Sequence, residues 1–176
     1  MQNHKRVFAT LVCIALLFLS PVSQAASYYG RLHIPSVGID VGLYRSSDRQ
    51  AVVDRKDSAC IFRLSYGRRT CLIADHHTQS FATLFDVVEG TTGYIISHDG
   101  EITHIICMQV LDGHNTGKRI TDKNKQNVIG DYDYLMYTCD GYWRNVRICQ
   151  WNKLEKEEPT NGNANWSRPT FQASTR

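Results

Sequence analysis

Cys139 and Arg144 stand five positions apart in the stretch from Asp133 to Trp151. Residues Tyr134 to Thr138 read as one strand, Asp140-Gly141 as a tight turn, and Arg144 to Trp151 as a second strand whose Val146 and Ile148 share a face. Cys139 then sits at a strand end, and parity aims Arg144 to the Val146 face while Arg147 and Trp151 take the other. The thiolate is the nucleophilic form of cysteine, nearby positive charge favours it, and a guanidinium can also hold an oxyanion or a substrate carbonyl. The plain alternative is a buried thiol and a surface Arg on two half-buried strands. A second group lies upstream, where Ile73-Ala74-Asp75-His76-His77 follows a strand and runs into a helix that the spacing starts near Ser80. A His at such a junction can be held rigidly toward a cleft, where a Cys nucleophile needs its acid and base. His76 and His77 point opposite ways there, so one of them is the candidate and the other its alternative.

The chain that must position these groups has 176 residues and a formal charge of +3. That is one domain's worth of core, and basic residues interspersed with acids form no stripe for nucleic acid. Met1 to Ala26 reads as a targeting segment, with Lys5 and Arg6 before the apolar run Val7–Leu19 and small residues after Pro21. The run falls short of the ~20 residues a membrane span needs, so residues 1–25 are expected to be a signal peptide cut after Ala25, with a short N-terminal anchor as the alternative. Either way the domain is expected to be exported, to the extracellular face of the membrane, the cell wall or the medium. Once Cys13 is set aside with the leader, Cys60, Cys71, Cys107, Cys139 and Cys149 remain, an odd number that leaves a thiol unpaired. Cys60 and Cys71 bracket a turn at Tyr66-Gly67 and could staple a hairpin base, a closure worth about 2–3 kcal/mol if unstrained. Cys107 and Cys149 read as buried thiols or a cross-strand pair.

Short alternating runs at Arg31–Ile34, Asp40–Tyr44, Val52, Arg69–Ala74, Gly93–Ser97, Glu101–Leu111, Tyr134–Thr138 and Arg144–Trp151 predict a mainly β domain, a barrel or sandwich of about eight strands. His98-Asp99-Gly100 is a hairpin signal. Ser80 as cap, Phe81, Leu84, Phe85 and Val88 at helical spacing, and Gly90 as a stop predict one helix. Asp112–Gly130 reads as a long connection beside the Cys139 end. Residues 155–176 read as a polar, disordered tail.

Taken together, three segments resemble sortases, the cysteine transpeptidases that attach proteins to the cell wall of Gram-positive bacteria. Leu32-His33-Ile34-Pro35 is similar to the family's opening Leu-x-Ile-Pro; Ile73-Ala74-Asp75-His76, followed by Phe81, Leu84 and Glu89-Gly90, resembles its His, helix and step into the next strand; Thr138-Cys139 with Arg144 resembles its Thr-Cys and Arg. The resemblance spans roughly residues 28 to 152 and implies a sortase-like closed β-barrel over residues 27–154. It implies Cys139 as nucleophile, His76 as general acid and base and Arg144 as oxyanion or substrate partner, with Thr138, Ala74 and Arg147 near the substrate. Arg147 also stands as the alternative to Arg144. No cofactor or metal is called for: Cys60, Cys71, His76 and His77 fit no common zinc spacing.

The implied partners are the sorting motif of a secreted protein and an amine of the cell wall or a pilin-like subunit. No nucleic acid is expected, and contact with the membrane surface would come through the N-terminus. A Cys/His peptide hydrolase and an inactive sortase-like peptide-binding module are the alternative readings.

Overall fold

Alternation decides which way each strand faces. The last two strands, β8 (Tyr134–Cys139) and β9 (Asn145–Lys153), pair antiparallel with Tyr134 opposite Trp151 and Cys139 opposite Val146. Tyr134, Met136, Cys149 and Trp151 join one buried cluster, while Leu135, Val146 and Ile148 join a second on the opposite side of the same sheet. The first cluster fills the barrel. The second lies outside it, under the β6–β7 hairpin. The structure, a computed structural model, describes residues 25–64, 69–141 and 144–155. The segments read as a leader and a polar tail, and the turn at Tyr66-Gly67, lie outside these apart from their edge residues.

In chain order the remaining strands are β1 (Ser27–Ile34), β2 (Ile39–Arg45), β3 (Ser58–Phe62), β4 (Cys71–Ala74), β5 (Thr92–Ser97), β6 (Ile102–Asn115) and β7 (Ile120–Asp122). The sheet order is β5-β1-β2-β3-β4-β8-β9-β6, and pairing of β5 with β6 closes it into an eight-stranded barrel, with β7 added at the free side of β6. The mainly β, closed-barrel reading therefore holds. Most neighbours are antiparallel, but β2–β3 and β4–β8 are parallel. Inside, Leu32, Phe81, Leu84, Ile95, Ile105 and Trp151 are fully or nearly fully buried, each contributing about 1.5–3 kcal/mol or more by leaving water.

Local sequence accounts for the joints. Between β1 and β2, Pro35 opens a 3-10 turn (Pro35–Val37) and Gly38 ends it at φ 69, its N–H returned to the Pro35 carbonyl at 3.2 Å. The His98-Asp99-Gly100 hairpin forms as expected, with Gly100 at φ 87.

Four expectations are corrected. Val52 belongs to a short helix, α1 (Arg49–Val53), because Asp48 accepts a hydrogen bond from Ala51 N–H and caps it. The span from Ser80 forms only a 3-10 helix (Ala82–Asp86), with no side-chain cap and with Val88 64% exposed; Phe81 and Leu84 anchor it in the barrel mouth instead. The long connection after Asp112 is mostly hairpin, since β6 continues to Asn115 and pairs with β7. Cys60 and Cys71 are not bridged. Cys60 lies opposite Ala74, and its neighbours Ala59 and Ile61 point inward with Cys71, so the two thiols sit on opposite faces and several rungs apart.

Candidate active site

Two parallel strands bring the candidate groups together. In the β4–β8 ladder Ala74 lies beside Tyr137, and one step on, the buried Thr138 hydroxyl donates to the Asp75 carbonyl at 2.8 Å. Cys139 follows Thr138 at the end of β8, on the outer face shared by Leu72, Ala74 and Tyr137, and His76 follows Asp75 in the loop that leaves β4. Cys139 is exposed at the end of β8. Its thiol is raised above the ordinary cysteine value, first by burial and then by the adjacent Asp140 carboxylate.

The loop carrying His76 is fixed from beneath. Asp75 is buried and accepts hydrogen bonds from His76 N–H at 2.7 Å and Ser80 N–H at 3.1 Å. Burial outweighs these donors and pushes its carboxyl up to about 6. From the side, α1 holds the imidazole: His76 Nε2 lies 3.0 Å from Asp54 Oδ1, and Gln50 Nε2 donates to the same oxygen at 2.7 Å. His76, with Gln50, keeps Asp54 below the usual carboxylate range. Gln79 ties the same loop to the Val53 carbonyl at 3.1 Å. His77 turns toward the β8–β9 turn instead, its Nε2 3.8 Å from where a Cβ on Gly141 would stand.

The two arginines part company. Arg144 has φ 71 and precedes β9, so strand parity does not govern it; it is exposed, and its carbonyl accepts from Asn115 N–H at 2.8 Å. Arg147 lies within the ladder opposite Thr138, on the face away from Cys139. There it pairs with Asp112 at 3.1 Å and lies over the Phe85 ring at 5.3 Å. Among the described residues no cluster of three or more His, Cys, Asp or Glu side chains could hold a metal ion.

Sequence reasoning missed Asp54 and Gln50. The cap at Asp48 and the i, i+4 spacing of Gln50 and Asp54 were the available signals for α1. A cleft of about 160 Å3 on the outer face is lined by Phe62, Leu72 and Tyr137, the last of them two positions before Cys139 in β8, and by Arg49, Asn115, Arg119 and Ile120. An exposed thiol, an imidazole backed by a carboxylate and a cleft on the same strand form a setting for nucleophilic acyl chemistry.

The architecture matches known structures. Sortase C from Clostridium perfringens SM101 superposes with a TM-score of 0.54 at 14% identity, over 74% of this chain and 71% of that one. Sortase C from Streptococcus pneumoniae gives 0.56 at 15%, over 78% and 74%. The fold is that of the sortases. A Clostridium perfringens sortase C solved with the C-terminal cell wall sorting motif gives 0.56 at 13%, over 77% and 75%. No family model matches the chain, and no curated protein matches it in sequence. On this sortase fold Cys139 ends β8, and His76 follows the end of β4 by two residues.

Proposed function

We propose that the chain is a sortase-type cysteine transpeptidase, exported and working at the extracellular face of the membrane or cell wall. The observation that supports this best is the parallel β4–β8 ladder, extended by the Thr138–Asp75 hydrogen bond, which ties the loop carrying His76 to the end of β8 where Cys139 is exposed. In this reading His76 takes the thiol proton as Cys139 Sγ attacks the carbonyl of a sorting motif. As the tetrahedral intermediate collapses, the peptide C–N bond breaks, His76 returns the proton to the departing amine, and a thioester remains on Cys139. An amine of the cell wall or of a pilin-like subunit then attacks the thioester. His76 accepts the amine's proton and gives it back to the leaving thiolate. Arg144, at the entrance to β9, opposes the oxyanion charge, an interaction of about 3–4 kcal/mol for a donor of this kind. Ala74 lines the outer face; Thr138 acts by tying β8 to the His76 loop, and Arg147 by holding the barrel mouth.

The test incubates the full chain with a library of peptides carrying varied five-residue motifs, with and without an amine acceptor, and reads products by mass spectrometry. Amide products with wild type, none with Cys139→Ala and at least ~10²-fold fewer with His76→Ala are expected. Carboxylate products that ignore the acceptor would make the protein a hydrolase. Peptide capture without any product would make it a binding module. Full loss in His77→Ala with activity kept in His76→Ala would move the base to His77.

A further inference from the structure

Arg49 and Phe62 line both the cleft beside β8 and a larger hollow of about 700 Å3 at the far ends of β2 and β3. Arg45, Arg49 and Arg63 line the hollow, and Lys118 and Arg119 overhang the cleft from the β6–β7 hairpin. Among the described lining residues there is no carboxylate. The arginines rest on other kinds of groups: Arg45 lies over the Tyr29 ring at 4.4 Å, Arg49 over Phe62 at 4.0 Å, and Arg63 Nε donates to Cys71 Sγ at 3.0 Å. Asp40 pairs with Arg31 and His33, Asp54 with His76, and Asp112 with Lys123 and Arg147. Within the cleft itself Arg49, Lys118 and Arg119 form a basic track beside the apolar Phe62, Leu64, Leu72 and Tyr137. Such a track attracts an anionic partner and fits one that also carries apolar side chains.

We infer that the peptide read by this cleft is acidic: Asp or Glu residues lie over Arg49 and Arg119, with an apolar residue on Phe62, Leu72 and Tyr137 between them and the reacting bond. Tyr137 is two positions from Cys139 on the same face of β8, about 7 Å at strand rise, so the acidic residues fall within a few positions of that bond. The identity of the bond rests on the transpeptidase reading; the charge preference rests on the track alone.

The experiment separates the two. Full-length protein carrying Cys139→Ala, which cannot turn a peptide over, is used to capture members of a randomised decapeptide library at low and high salt, and the bound peptides are sequenced by mass spectrometry. Enrichment of Asp and Glu next to an apolar position is expected, with binding falling roughly tenfold or more at high salt. Arg119→Glu, on the exposed hairpin, should weaken the acidic peptides, and Arg49→Glu with Arg119→Glu should turn the enrichment toward Lys and Arg. No acidic enrichment, or enrichment unchanged by the charge reversals, overturns the inference. So does Arg49- and Arg119-dependent sedimentation with phosphatidylserine vesicles in the absence of acidic-peptide capture. Acidic peptides captured by the variant but never processed by wild type would leave the inference standing and remove the transpeptidase reading. Processing of neutral peptides as fast as acidic ones would do the reverse.

Discussion

Burial and Asp140 both favour the protonated form of Cys139, so the resting thiol depends on a base to become a nucleophile. Its alkylation by iodoacetamide should therefore keep climbing with pH through and beyond the ordinary thiol range near ~8.5. A plateau below neutral pH would instead reveal a thiolate stabilised by a neighbouring cation. In the proposed mechanism that base is His76, and Asp54, 3.0 Å from its Nε2, is the residue placed to orient it. Asp54→Ala should lower kcat roughly tenfold with little change in KM, a part of the ~10²–10⁴ that general acid–base catalysis supplies. Asp54→Asn, which keeps an oxygen toward Nε2, should recover much of it; equal loss in both variants would mean that the negative charge itself is required. Cys139 and the His76-His77 pair stood out as candidates because a thiol and an imidazole near strand ends are chemically loaded types, and the resemblance to sortases singled out His76. Asp54 did not, because its partner lies 22 residues away and only the folded loop brings them together.

Elements carry the site by contact as much as by hydrogen bonding. Gly113 in β6 passes so close to β7 that a Cβ there would stand 2.0 Å from the Thr121 carbonyl oxygen and 2.8 Å from Ile148 Cδ1. Gly113→Ala should push the β6–β7 hairpin outward, cost about 1–3 kcal/mol in stability and loosen the wall of the cleft. Chemical denaturation together with faster hydrogen exchange at Ile120–Asp122 would register both effects, and unchanged exchange there would show that the hairpin absorbs the methyl group. Strands with clear alternation, such as β1 and β5, could be read from the chain. β3 could not, because four of its five residues are buried, Ser58 to Ile61, and a strand covered on both faces shows no alternation. The helix expected after Ser80 failed for a related reason: Phe81 and Leu84 needed burial in the barrel mouth, and a tighter turn delivers both.

For the molecule as a whole, Asp75 links the site to global stability. Its carboxyl is raised from 3.8 to about 6 in the folded protein, so the folded state binds the proton more tightly than the unfolded chain does. The stabilisation is complete below about pH 4 and lost as pH rises through about 6. Thermal midpoints measured across that window should show a rising contribution toward acid in wild type that is absent in Asp75→Asn; parallel curves for the two proteins would assign the pH dependence elsewhere. The number and spacing of the runs made a barrel or sandwich legible, and the resemblance to sortases implied that the barrel is closed. Which strand pairs with which was not, because alternation fixes a face and leaves the neighbour open, as the parallel pairs show.

The parallel pairing of β4 with β8 has a temporal side. Thr138 reaches Asp75 across 63 residues of chain, and β8 can dock only after β5, β6 and β7 have been made and passed around the barrel. Contacts this distant form late, since loop closure must precede any return from them. A nascent or unfolded chain therefore carries its thiol and its imidazole far apart, and the two candidate groups are brought to one end of the sheet only when the barrel shuts.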